Sequence, residues 1–289
     1  MGKPSAYLNL TKPQVSFLLF LGGITGAFMA LRPIVAHVFR FLVGMIGLYL
    51  SIAGANALSN YIDRDIDAKM KRTCNRALPS GKLTPQEALR FSFLILSVGL
   101  LLALYSSIYE LFWIVVGVVF DPVLYNFLSK RRTYYNILIG SIAGGTPVMA
   151  GYSLASGSFF SLAPFLIMLL IIIWTPVHIW SIAIKYRDDY RNANVPMLPV
   201  VKGVRNASYA IAASAVLLFA VAFLYALEFM SPVFLAMMVA AGLAVLYLSI
   251  KLFVSTDIEG DSMRLFIFSN LYLGIVFVLI IINSIISVF

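Results

Sequence analysis

Apolar residues run through the chain in nine long stretches: 15–35, 39–59, 89–109, 111–128, 135–154, 160–184, 207–227, 232–252 and 265–288. A helix needs about 20 residues to cross a hydrocarbon core. The stretches are continuous and do not alternate with polar positions. That predicts nine transmembrane helices and excludes a β-barrel. The expected fold class is all-α, a polytopic bundle around a central cavity, with residues 1–289 forming a single membrane domain.

Polar positions collect between the stretches, unevenly. With the N-terminus inside, the inner segments hold 19 of the 21 Lys and Arg residues, and only Arg32 and Arg40 fall outside. This positive-inside bias predicts a cytoplasmic N-terminus and an outer C-terminus. Two inner loops, near 60–88 and 185–206, are long and polar, so the chemistry is expected on the cytoplasmic side.

Composition agrees: 61% of residues are hydrophobic and 11% charged, with a mean hydropathy of +0.95. A soluble domain carries about 25% charged residues, so soluble and disordered classes are excluded. Membrane topology accounts for the net charge of +9, so no nucleic-acid partner is implied. One cysteine, Cys74, excludes an intramolecular disulfide, and no Cys/His spacing suits zinc. The start, MGKPSAYLNLTKPQ, lacks the pattern of a cleavable signal, so the first span is expected to act as its own insertion signal.

The end of the second span reads NALSNYIDRDIDAKMKRTCNRALPSGKL. Asn56, Asn60, Asp63 and Asp67 fall on one helical stripe, with Asp65 on another face. Carboxylates four residues apart repel, and a helix C-terminus disfavours anions. Both costs call for a compensating cation. Hard oxygen ligands at an open site suit Mg²⁺, which commonly bridges to phosphate. Lys71, Arg72 and Arg76 follow and suit phosphate oxygens. The competing reading is a solvated loop of Asp–Arg pairs.

A second cluster follows the sixth span, in WTPVHIWSIAIKYRDDYRNANVPMLPVVKG. Asp188 and Asp189 sit at another inner helix end. Adjacent residues differ by about 100° around a helix, so one of the two is expected to face the site. Two acidic helix ends around one cavity would hold metal ions between them; a hydrated loop pairing them with Arg187 and Arg191 is the alternative. Lys130, Arg131 and Arg132 are anion ligands or topology signals.

Several residues lie within the apolar stretches. His178, flanked by Trp174 and Trp180, reads as a haem or proton ligand or as a hydrogen-bonded core histidine. Asp121 is an intramembrane carboxylate with a functional reading and a reading as partner to backbone freed by Pro122. His37 reads as interfacial. Gly140, Gly144 and Gly145 read as a close helix approach. No P-loop, Rossmann turn or nucleophile elbow is present.

NYIDRDID, RTCNRALPSGKL and YNFLSKRRT, with the second acidic loop, resemble the UbiA-type intramembrane prenyltransferases. Pro176–His178–Trp180 and the DDY…PMLPVV element resemble that family's haem-farnesylating branch. The resemblance covers about residues 56–203. It implies nine helices around a cavity, Mg²⁺, farnesyl diphosphate as donor and haem B as acceptor. The implied product is haem O, in haem A biosynthesis, with a downstream haem A synthase as a partner. It implies Asp63, Asp67 and Asp189 as catalytic metal ligands, joined by Asp188. Asn60 or Asn56 would orient a metal or phosphate oxygen. Arg72, Arg76, Lys130 and Arg131 would contact diphosphate, and His178 would face the porphyrin. Ser59 departs from the family's usual Asn, and Tyr190 follows adjacent acids where other branches space them. Prenylation of an aromatic acid or glycerol phosphate lipid is the alternative activity. A transporter is disfavoured because the charges cluster on one face.

Overall fold

The computed structural model describes residues 2–30 and 38–287. Arg32 and His37 lie outside the described residues. Among these, eight helices are long and apolar enough to cross a membrane. They are α3 (Val38–Ile62), α5 (Pro85–Ser106), α6 (Ile108–Val118) with its π-helical continuation Val119–Ser129, α7 (Asn136–Ser156), α8 (Leu162–Lys185), α11 (Gly203–Phe229), α12 (Pro232–Lys251) and α13 (Ile258–Ile286). A ninth, α2 (Pro13–Phe28), is apolar but shorter. The predicted first stretch runs to 35, and its last residues are not among those described. Short helices α1 (Lys3–Leu10), α4 (Arg64–Lys69), α9 (Arg187–Asn192) and α10 (Leu198–Val201) lie at the end that carries the aspartates.

α7 and α8 form the centre, and at least half of each span is buried. α2, α3, α5 and α6 gather on one side; α11, α12 and α13 lie on the other, with α13 returning to α2. Leu101, Phe127, Leu224 and Leu271 face outward, as hydrocarbon permits. Glycines set the closest approaches. A Cβ at Gly26 would overlap the Val148 carbonyl, and one at Gly151 the Gly23 carbonyl, so α2 and α7 touch backbone to backbone. Of the expected glycine group, Gly145 acts this way, with a Cβ position 2.7 Å from the Met168 carbonyl. Gly140 faces the Tyr125 ring, and Gly144 meets only ordinary contacts.

The division between the third and fourth spans and the helix type of the fourth differ from the sequence expectation. The third and fourth spans divide at Ser107, not at Glu110. Ser107 is extended and its hydroxyl accepts from Glu110 N at 3.4 Å, which caps α6. Glu110 is consequently fully buried in the first turn. The fourth span changes to a π-helix around Pro122. Proline removes an N–H and clashes with the preceding turn, so the ladder widens to i→i+5; Lys130 N donates to Tyr125 O at 2.8 Å.

The N-terminal helix is fastened to the aspartate end. Thr84 and Glu87 form a capping box on α5, and Glu87 also pairs with Lys3 at 2.9 Å. Tyr7 packs on Phe91 with centroids 4.9 Å apart.

Candidate active site

The expected stripe forms although α3 ends at Ile62. Asp63 N donates to Ser59 O at 3.0 Å and Asp67 N to Asp63 O at 2.8 Å, so the helical register passes through the turn into α4. Asn56, Asn60, Asp63 and Asp67 are all buried, whereas the Asp65 side chain is 54% exposed.

Each buried carboxylate of the stripe has a cation. Asp67 receives Arg76 Nη1 on both oxygens, at 2.9 and 2.8 Å. Asp63 pairs with Lys130, which reaches in from the end of the π-helical segment. Burial opposes the Lys130 charge, but the Asp63 carboxylate more than offsets it and raises the amine above the usual lysine pKa. The other oxygen of Asp63, Oδ1, is buried with no hydrogen-bond partner. Such an orphan is costly unless something fills its place.

The loop after α4 joins the two acidic clusters. Its Arg76 holds Asp67, while its Arg72 N donates to Asp189 Oδ2 at 3.3 Å. The Arg72 guanidinium lies 5.1 Å from the Tyr186 ring centroid and 5.9 Å from that of Tyr190. It also donates to Tyr190 Oη at 3.3 Å. Aromatic faces and a hydroxyl thus fix a cation beside the second acid. Asn60, Asp67, Arg72 and Arg76 face Asn9 and Leu10 of α1 across a cavity of about 390 Å³.

Asp188 is placed elsewhere. Its side chain is 70% exposed and pairs with Arg191 at 2.6 Å, whereas Asp189 is buried. The expected one-sided geometry therefore selects Asp189. Asp188→Ala should leave turnover within a few-fold of the parent, because an exposed pair contributes about 0–1 kcal/mol; steady-state assay of the variant checks this. Arg131 also points away from the cavity. It grips Asp65 with two bonds of 2.6 Å and Ile62 O at 2.9 Å, locking the loop after the fourth span to α4. The Arg131 hydrogen bond holds the Asp65 carboxyl below the usual range, with burial opposing it.

The two amides of the stripe turn toward the N-terminus. Asn60 Nδ2 donates to Leu10 O at 2.6 Å, and Asn60 Oδ1 accepts from Arg76 at 3.4 Å. Asn56 Nδ2 donates to Ser16 Oγ at 3.0 Å. Ser59 takes neither role. Its hydroxyl donates to Asp121 Oδ2 at 2.7 Å and accepts from Asn126 Nδ2 at 2.9 Å. Asn126 also donates to Asp121 Oδ1 at 3.1 Å and accepts from Lys130 at 3.4 Å. The intramembrane Asp121 is thus tied through two neutral residues to the ammonium facing Asp63.

His178 lies on α8, flat between Trp174 and Phe266, with centroids at 4.5 and 4.3 Å. Its Nδ1 is 2.8 Å from Ser269 Oγ. That hydroxyl also lies 2.8 Å from Phe266 O, so ring, hydroxyl and carbonyl form one hydrogen-bonded chain. Trp174 Nε1 donates to Ser269 O at 2.8 Å. One residue of α13 therefore fixes both rings.

Residues 19–279 match the UbiA prenyltransferase family. The chain belongs to that family. Among curated relatives, the protoheme IX farnesyltransferase of Thermoplasma acidophilum is 36% identical over 97% of this chain and 98% of its own. That of Archaeoglobus fulgidus is 34% identical over 96% and 97%. Among solved structures, a digeranylgeranylglyceryl phosphate synthase aligns with a TM-score of 0.79 at 21% identity, covering 99% of both chains. A UbiA homolog from Archaeoglobus fulgidus, bound to GPP and Mg²⁺, aligns at 0.70 and 17% identity over 95% of this chain and 99% of its own. At those identities the structures establish the UbiA fold.

Within this UbiA-family frame, Ser59, Asp121 and Asn126 form a site-facing network that sequence reading did not assemble. Lys12 counts toward the positive-inside bias, and it also stands within electrostatic reach of Asp63, Asp121, Arg76 and Lys130. Burial, then the Arg76 charge, holds its amine below the usual lysine pKa. Among the described residues, no group of three or more His, Cys, Asp or Glu stands close enough to hold a metal unaided. The donor chemistry still suits Mg²⁺. Asp63, Asp67 and Asp189 are hard oxygen donors, and Asp63 Oδ1 lacks a partner.

Proposed function

We propose that this protein transfers a farnesyl group from farnesyl diphosphate to a vinyl group of haem B, with water addition, giving haem O. The carrying observation is the 34–36% identity, over nearly the whole chain, to relatives named protoheme IX farnesyltransferase. The fixed His178 ring in the Pro-x-His-x-Trp segment supports the acceptor. Prenylation of another acceptor is the second reading.

The allylic C–O bond breaks and its electron pair leaves with diphosphate. The terminal vinyl carbon bonds to the farnesyl carbon, and water captures the cation beside the porphyrin, losing a proton. Arg72, Arg76 and Lys130 would stabilise the charge developing on diphosphate from fixed positions. Asp63, Asp67 and Asp189 would hold Mg²⁺, which supplies charge neutralisation of the leaving group. Asp63 and Asp67 already pair with Lys130 and Arg76, so an added diphosphate needs further positive charge. The surrounding apolar helices would keep stray water from the allylic cation. His178 would face the porphyrin as a ligand or contact.

The positive charge at the aspartate end supports a cytoplasmic site and N-terminus. A downstream haem A synthase would receive the product. The test offers purified protein farnesyl diphosphate with haem B, an aromatic acid or a glycerol phosphate lipid, with Mg²⁺ or with chelator. Prenylated haem formed only with Mg²⁺ is expected. Prenylation of another acceptor alone overturns the haem reading, and full activity in chelator overturns the metal assignment.

A further inference from the structure

Lys12 is one of two non-glycine described residues with positive φ, at φ 49° and ψ 64°. A side chain with a Cβ is disfavoured there, and the following Pro13 restricts the backbone further. The elbow between α1 and α2 is therefore held by other groups. Lys12 N donates to Asn9 O at 3.2 Å, and Lys12 O accepts from Ser16 N at 2.9 Å. Ser16 Oγ donates to Thr11 O at 2.7 Å, and α3 supplies the Asn60–Leu10 and Asn56–Ser16 bonds already described. Two buried amides of the acidic stripe are thus committed to one strained turn. Observed strain is a reason to seek a function for the residue that bears it.

The Lys12 side chain is half-buried and makes no ion pair or side-chain hydrogen bond among the described residues. Its charged neighbours come from three other segments: Asp63 after α3, Arg76 in the following loop, and Asp121 and Lys130 on the fourth span. A lysine serving structure alone would pair with one of these carboxylates. This one is held apart from them, on a backbone fixed at some cost.

We propose that Lys12 is a substrate-binding residue whose ammonium receives a substrate oxyanion, the diphosphate of the donor or a carboxylate of the acceptor, and that Asn56 and Asn60 position it through the elbow. The inference rests on the prenyl-transfer reading and adds a ligand from the N-terminal elbow. The oxyanion would reach Lys12 together with Arg76 and Lys130, which gathers cations from three segments around one leaving or anchoring group.

The test uses Lys12→Gly and Lys12→Arg in the full chain. Glycine accepts the left-handed backbone without strain, so Lys12→Gly should melt at or above the parent temperature. Binding of farnesyl diphosphate is measured with Mg²⁺ and no haem; binding of haem B and of its dimethyl ester is measured from the haem absorbance. A tenfold or greater loss of farnesyl diphosphate affinity in Lys12→Gly, largely restored in Lys12→Arg, identifies the diphosphate. The same loss for haem B, absent for the ester, identifies the carboxylate. Unchanged affinity for both in folded Lys12→Gly overturns the proposal, as does a lowered melting temperature with binding intact. Parent protein that binds farnesyl diphosphate but does not prenylate haem contradicts the acceptor reading and leaves the Lys12 comparison decisive.

Discussion

Asp63→Asn is expected to lower turnover on the order of 10³-fold, the scale seen when a group that stabilises developing charge is removed. Asp63 carries a buried oxygen with no hydrogen-bond partner and a second oxygen paired with Lys130. The amide retains the shape but loses the charge, and with it the means to hold a divalent cation. Loss of a partner from a buried pair also destabilises, by about 3–5 kcal/mol where nothing compensates. Stability and chemistry can be separated with a second variant. Asp63→Asn combined with Lys130→Met removes both charges and should recover much of the melting temperature. Its activity should remain lost. Thermal melting in detergent and a transfer assay read the two effects. Turnover near the parent level in Asp63→Asn would sink the assignment of Asp63 to the metal.

His178→Ala is expected to raise KM for haem at least tenfold, equivalent to about 1.4 kcal/mol, while KM for farnesyl diphosphate changes little. The ring is fixed on three sides, by Trp174, Phe266 and Ser269. That precision suits a group that must meet a planar partner in one orientation. It also makes His178 part of the packing between α8 and α13, so alanine will cost stability. His178→Phe tests the distinction, since it keeps ring volume and stacking but offers no nitrogen. Haem use should remain impaired in His178→Phe while melting recovers toward the parent value. Equal loss for both substrates, corrected by phenylalanine, would assign His178 to packing.

The spans and the acidic stripe were legible in the sequence because both depend on periodicity. Lipid demands continuous apolar helices, and Asn56, Asn60, Asp63 and Asp67 repeat at helical spacing. The stripe's position did not reveal its partners. Asn56 and Asn60 share a face with the aspartates, yet they bond to Ser16 and Leu10, forty and fifty residues earlier in the chain. Asp188 and Asp189 were indistinguishable until the start of α9 fixed which carboxylate turned inward. Arg131 and Lys130 are adjacent, but only Lys130 continues the buried face of the fourth span, because the π-helical register around Pro122 changes the angular spacing. Ser59 and Asp121 carry no joint motif; they meet only when α3 packs against the fourth span. In the sequence, little beyond its place before Pro13 sets Lys12 apart from the other inner cations.

The most direct measurement is the mass of the product formed by purified protein from haem B, farnesyl diphosphate and Mg²⁺ in ¹⁸O-labelled water. The account predicts a haem carrying one farnesyl group and one hydroxyl whose oxygen is labelled. A farnesylated haem without labelled oxygen, or no farnesylated haem from protein that binds farnesyl diphosphate, would contradict it.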